Sequence, residues 1–242
     1  MAKQLEKAGE YEAAYEALGE FWPERTQSPN VEGLDESTKA ELLLRTGALA
    51  GWLGGADQSE GSQETAKDLI TKSIEIFEKL KEARRVAEAR GELALCYWRE
   101  GSYDEARITL ANALNLLDSH DSELKAILLI RAGIVETDSR RLNEGLRLYN
   151  EAAPLVDQSE NDALKGSFHM AFALLFRRLA VAEGRSEFFD QALIENAAAS
   201  FYHEKAGNIR YLARVENNLG YLYFTIGQYK DAHEHLDRAR KL

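Results

Sequence analysis

Apolar and small residues recur along this chain at helical spacing. Ala106, Leu110 and Ala113 stand at i, i+4 and i+7, one stripe of an α-helix. That helix is entered through a short phrase: a Gly, an aromatic two residues later, and an Ala three residues after that. Three copies are nearly intact: Gly9-Glu-Tyr11-Glu-Ala-Ala14, Gly101-Ser-Tyr103-Asp-Glu-Ala106 and Gly227-Gln-Tyr229-Lys-Asp-Ala232. The second and third are preceded by Leu93-Ala94 with Tyr97 and by Leu219-Gly220 with Tyr223. They are followed by Leu110 with Ala113 and by Leu236 with Ala239. Each phrase therefore predicts two amphipathic helices joined by a tight turn. The Gly accepts a left-handed backbone, the aromatic fills the angle between the helices, and the Ala residues let the axes approach.

The phrase resembles the tetratricopeptide repeat, which has Leu-Gly or Leu-Ala at positions 7 and 8, Tyr at 11, Gly at 15, Tyr at 17, Ala at 20, an apolar residue at 24 and Ala at 27. With that template three degenerate copies emerge: Gly47 and Gly54 continuing at Ala66; Gly133 and Arg140 with Leu142 and Gly145; and Ala173 and Ala180 continuing at Ala192. The implied fold is an all-α, right-handed superhelical α-solenoid of about six repeats, spanning residues 1–33, 34–83, 84–121, 122–160, 161–207 and 208–242. The turn markers Gly9, Gly54, Gly101, Arg140, Ala180 and Gly227 are 45, 47, 39, 40 and 47 residues apart, longer than the family's basic 34. In this the chain resembles the extended repeats of bacterial regulators and kinesin light chains.

A second period is superimposed on the first. Gly47, Gly54, Ala66, Leu93, Gly101, Tyr103 and Ala106 recur in kind 126 residues later as Ala173, Ala180, Ala192, Leu219, Gly227, Tyr229 and Ala232. This pattern is that of a tandem duplication of three repeats. The first repeat starts too close to Gly9 for a full first helix, and no polar terminal cap is visible. The expectation is a segment of a longer array. Between repeats, residues 23–37 carry Pro23, Pro29 and Gly33, so the helix pattern breaks there, and Asp35 or Ser37 is placed to cap the next helix. Gly54-Gly55 opens a polar stretch reaching Gln63, expected to be a loop.

Composition narrows the picture. A 242-residue chain with 45% hydrophobic residues and three prolines can bury its own core and favours helices. The net charge of −11 argues against direct nucleic-acid binding. Residues 1–121 hold 14 Lys and Arg against 24 Asp and Glu, and residues 122–242 hold 16 against 17. The acidity is thus concentrated in the first half. No signal peptide or membrane-length apolar run occurs, and Cys96 is the single cysteine, so a cytoplasmic protein is expected. The five histidines are scattered, and His233 and His235 point to different helix faces. No phosphate-binding glycine loop or His-Glu-x-x-His motif occurs. Neither an enzyme nor a cofactor is expected, and Cys96 reads as a packed thiol.

The resemblance also implies where a partner would bind: a groove lined by the first helix of each repeat, at positions 2, 5, 9, 12 and 13. Here these are Glu88, Gly91, Leu95, Trp98 and Arg99 in the third repeat and Arg214, Asn217, Tyr221, Phe224 and Thr225 in the last. The fourth gives Ile127, Ile130, Ile134, Thr137 and Asp138, and the fifth Ser167, Met170, Leu174, Arg177 and Arg178. Such a lining suits a protein or peptide. Arg99, Arg177 and Arg178 are placed to meet carboxylates and Asn217 to meet peptide groups. For Trp98 and Phe224, packing within the superhelix competes with this reading. The family's clamp for C-terminal carboxylates is incomplete, with only Arg131 and Asn218 at position 6 of separate repeats. The expected function is an interaction or sensory module of a bacterial signalling or transcription regulator. The alternative is a structural scaffold that self-associates through its array ends.

Overall fold

The computed structural model describes residues 1–25, 27–56, 61–118 and 120–242. Among the described residues there are twelve α-helices and no strand. The chain divides into two compact units, Met1–Arg131 and Ala132–Leu242. The first holds α1 (Ala2–Lys7), α2 (Tyr11–Glu16), a 3-10 turn (Gly19–Phe21), α3 (Glu36–Ala56), α4 (Ser62–Lys79), α5 (Ala83–Arg99), α6 (Tyr103–Leu114) and the start of α7 (Ser122–Asp138). The second takes up the end of α7 and continues with α8 (Leu142–Asp157), α9 (Asp162–Glu183), α10 (Glu187–Lys205), α11 (Ile209–Thr225) and α12 (Tyr229–Lys241). No described helix is long and apolar enough to cross a membrane.

Successive helices are folded back by one recurring turn. Gly9, Lys81, Gly101, Arg140, Gly207 and Gly227 all have φ between 59° and 80°. After each, the next backbone N–H reaches back five residues: Glu10 to Leu5, Glu82 to Phe77, Ser102 to Tyr97, Arg141 to Glu136, Asn208 to His203 and Gln228 to Tyr223, at 2.8–3.0 Å. This bond closes the end of a helix by satisfying a carbonyl that has no partner inside it. Lys81 and Arg140 bear the steric cost of a side chain in that conformation. Replacing Arg140 with Gly is expected to raise unfolding stability by about 0.5–1 kcal/mol, and a denaturant midpoint at or below that of the parent would refute this.

Two of the expected turn markers are not turns. α3 runs through Gly54 to Ala56, and α9 runs through Ala180 to Glu183, where Gly184 (φ 67°) ends it. These helices have 21 and 22 residues, so a template drawn from shorter helices places the turn too early. Gly54 is small for a different reason: a Cβ there would lie 2.1 Å from the Cβ of Ser62, the first residue of α4. Of the expected loop from Gly54 to Gln63, the ends belong to α3 and α4, and residues 57–60 lie outside the described residues.

The small residues of the repeat phrase do bring helices together. A Cβ on Gly47 would stand 2.7 Å from Ile70 Cγ1 and 3.0 Å from the Ala66 carbonyl, and one on Gly220 2.6 Å from Leu236 Cγ. Ala14, Ala66, Ala106, Ala192 and Ala232 are buried. The aromatic position behaves less uniformly. Tyr11 is buried and stacks on Trp52 at 4.6 Å, whereas Tyr229 is 66% exposed, so the expectation that it packs between helices is corrected there. Asp35, as foreseen, caps α3: its carboxylate accepts from the Thr38 N–H at 3.1 Å and from the Thr38 hydroxyl at 2.7 Å.

The offset of 126 residues carries over to the helices. α3, α5 and α6 begin at 36, 83 and 103, and α9, α11 and α12 at 162, 209 and 229. In the first unit Trp22, Leu44, Leu49, Ile70 and Phe77 form the fully buried centre, with the Trp22 indole donating to the Gln27 carbonyl at 2.9 Å. In the second, Tyr149 lies against Gly133, Phe168 and Phe172, and Val215, Leu219 and Ala199 pack with Met170.

Candidate functional site

The expected groove residues fall into two chemically different sets. In the first unit they are engaged with one another. Glu88 on α5 receives Lys3 at 2.8 Å, Arg45 at 2.9 Å and Arg85 at 3.3 Å. Arg45 is itself buried on α3, 2.8 Å from Glu6 of α1. Arg131 donates to Glu92 at 2.6 Å. The Arg99 guanidinium lies 4.6 Å from the centre of the Trp52 ring, Leu95 is buried and Trp98 is half-buried.

Burial and pairing pull these carboxyls apart. Burial raises Glu6 to about 7 despite Arg45. Burial also works against Glu88, but Arg45, Lys3 and Arg85 hold it at about 2. Glu92 is likewise held below the usual range by Arg131 and Arg45, against the effect of burial. The repeat pattern does not single out Arg45. Its signal in the sequence is the charge pairing of positions 2 and 6 in successive first helices: Glu41 with Arg45, then Glu88 with Glu92.

In the second unit the corresponding residues face outward. Arg214, Asn217, Tyr221 and Phe224 occupy α11 at helical spacing and are all exposed, Tyr221 by 55% and Phe224 by 59%; Asn218 beside them is half-buried. Arg177 of α9 lies over the Tyr221 ring at 4.6 Å, Phe224 lies 6.5 Å from Tyr221, and Tyr229 of α12 stands 5.7 Å from Phe224. The α11 face thus joins cations and an amide at one end to aromatic surface at the other. The repeat phrase marks Tyr229 as a turn aromatic and does not reveal its place on this face. Arg178 turns away from the row: it donates to the Thr137 carbonyl at 2.8 Å and pairs with Asp138.

Cys96 is buried, and burial pushes its thiol up to about 11. It is therefore a protonated packing group at neutral pH. His169 meets Glu195 at 2.6 Å and His235 meets Glu216 at 2.8 Å, in separate places. Among the described residues, no group of three or more His, Cys, Asp or Glu side chains is arranged to hold a metal ion.

No family model matches the chain, and no curated protein is similar to it in sequence. Among solved structures, BtubC (BKLC) from P. vanneervenii superposes with a TM-score of 0.65 at 18% identity, over 85% of this chain and 80% of that one. The apo form of RapI superposes with a TM-score of 0.61 at 15% identity, over 100% of this chain and 77% of that one. The likeness is one of fold: this chain is an all-α helical-repeat protein of the solenoid class.

Proposed function

We propose that this chain is a non-catalytic scaffold of tetratricopeptide type that binds a protein or peptide, with α11 as its main contact surface. The observation that carries the reading is the exposed row Arg214, Asn217, Tyr221 and Phe224, flanked by Arg177 and Tyr229. Aromatic and arginine side chains supply most of the affinity at protein interfaces. An exposed cluster of them on one helix costs solubility unless it is used. The counterparts in the first unit are spent on internal ion pairs, which leaves α11 as the better-equipped face. The phrases Glu216-Asn-Asn-Leu-Gly-Tyr221 and Ala232-His-Glu-His-Leu-Asp-Arg-Ala239 resemble repeat regions of bacterial signalling and transcription regulators. On that ground we assign the scaffold to such a regulator.

The test is a peptide array probed with labelled chain, comparing the parent with a Tyr221→Ala/Phe224→Ala variant. Both side chains are surface-exposed, so the fold should be retained. Binding to the positive peptides is expected to fall by about tenfold or more. Equal binding by parent and variant would remove α11 from the site. Light scattering over a concentration series separates the self-associating scaffold: a mass that doubles with concentration in the parent, and not in the variant, would favour that reading.

A further inference from the structure

Independently of the α11 face, we infer that the chain pairs with a second copy of itself through the outward face of α10, the two helices antiparallel and centred between Ala197 and Ala198. The 126-residue offset supplies the internal comparison. α4 and α10 are counterparts and bury the same stripe, Ala66, Ser73 and Phe77 in α4 and Ala192, Ala199 and His203 in α10. The opposite stripe of α4 is that of a solvated helix, with Asp68, Thr71, Lys72 and Glu75 all exposed. At the same four positions α10 carries Ile194, Ala197, Ala198 and Phe201. Ile194 is 60% and Phe201 59% exposed, Ala197 is exposed and Ala198 half-buried. α4 shows this stripe to solvent although α5 and α6 follow it in the same unit, as α11 and α12 follow α10. The openness of the face therefore belongs to its place in the repeat. What sets α10 apart is that the open face is apolar.

The face is complementary to itself. Its side chains run large, small, small, large, the same from either end: Ile194, Ala197, Ala198, Phe201. When two copies meet antiparallel across the alanines, the helix axes approach closely, and Phe201 of each copy lies against Ile194 of the other. The ends of the stripe match in charge. Asp190 stands four residues before Ile194 and Lys205 four after Phe201, and both are exposed. The same pairing sets Asp190 of each copy against Lys205 of the other, at both ends of the contact. Within one chain Lys205 reaches Asp162 at 3.0 Å, an exposed pair that contributes little and can be shared. α4 in this arrangement would set Asp68 against Glu75, so the first unit has no equivalent contact. A stripe symmetric in size and opposite in charge at its two ends selects a second copy as its occupant.

A single helix pair is a small contact, so the dimer is a weak one, and light scattering on the full chain from about 1 µM to about 1 mM covers its range. The parent is expected to pass from monomer to dimer within it. Phe201→Glu sets a carboxylate against Ile194 and should weaken the dimer by about tenfold or more, with helicity by circular dichroism unchanged because the site is exposed. Asp190→Lys and Lys205→Glu should each weaken it as well, since like charges then meet at both ends. An equimolar mixture of those two variants should dimerise as well as the parent, because each end again joins opposite charges. A parent that stays monomeric over the whole range overturns the inference. So does a dimer that Phe201→Glu leaves intact, or a mixture no stronger than its two components. Dimerisation lost in Tyr221→Ala/Phe224→Ala and kept in Phe201→Glu would assign self-association to α11 and likewise overturn it. Peptide binding at α11 is read separately: Phe201→Glu should retain it, so either proposal can fail without the other.

Discussion

Arg45→Ala is expected to destabilise the first unit by about 3–5 kcal/mol, several times the cost of breaking an exposed ion pair. The cost does not come from losing a favourable ion pair, because burying charges is itself expensive and a paired buried charge contributes little net stability. It comes from what remains. Arg45 is 6% exposed and lies 2.8 Å from Glu6, 2.9 Å from Glu88 and 3.5 Å from Glu41. Removing it takes away the guanidinium that Glu6, Glu41 and Glu88 share: Glu88 keeps Lys3 and Arg85 and Glu41 keeps Arg85, while Glu6 stays buried without it. Urea denaturation followed by helical circular dichroism measures the effect directly. A loss below about 1 kcal/mol, as for an exposed pair, would show that the carboxylates rehydrate without cost. Removing the three carboxyls together with the arginine, in an Arg45→Met/Glu6→Leu/Glu41→Leu/Glu88→Leu variant, should recover most of the loss, since packed apolar groups can replace a buried ion cluster.

Acidification is expected to weaken the second unit through His203. This side chain is buried on α10, its ring stacks on Tyr211 at 5.0 Å, and neither ring nitrogen has a well-aligned hydrogen-bond partner. Burial lowers its pKa from 6.5 to about 4, and Arg214 adds to the effect. The native state therefore holds the neutral ring, while the unfolded chain takes up a proton near pH 6.5. Above that pH the contribution to stability is complete. It is lost as pH falls from 6.5 toward 4, by as much as ~3 kcal/mol if each pKa unit is worth ~1.4 kcal/mol. Carboxylates titrate in the lower part of the same range, so the informative quantity is a difference. Between pH 7.5 and 4.5, His203→Leu should lose less stability than the parent by an amount approaching that figure. Parallel pH profiles for the two proteins would show that His203 is protonated without cost in the folded state.

The repeat phrase was legible wherever the backbone demands glycine. Gly9, Gly101 and Gly227 stand in left-handed turns because a residue with no Cβ adopts that conformation freely. The turn at Lys81 carries no such mark, since an ordinary side chain can occupy the same conformation at modest cost. Gly54 and Ala180 were misplaced because a small residue signals either a turn or a close approach of helices, and spacing alone does not distinguish them. At the candidate site the sequence identified the exposed row on α11, where helical position decides which side chains face outward. It did not reveal that Glu88 and Arg131 neutralise other groups within the first unit, or that Arg178 closes on the end of α7. Charge at a repeat position is visible in the sequence, but whether the opposite charge on another helix lies within hydrogen-bonding reach depends on packing.

The ion pairs that fasten α1 affect how the first unit comes apart. A six-residue helix has almost no stability of its own. α1 is nevertheless tied to α3 by Glu6 and to α5 by Lys3, so its release would strip countercharges from Arg45 and Glu88. Fraying at this end is therefore coupled to disruption of the interior. The amide hydrogens of α1 should exchange together with those of α3 and α5, as one cooperative block rather than as a loose terminus.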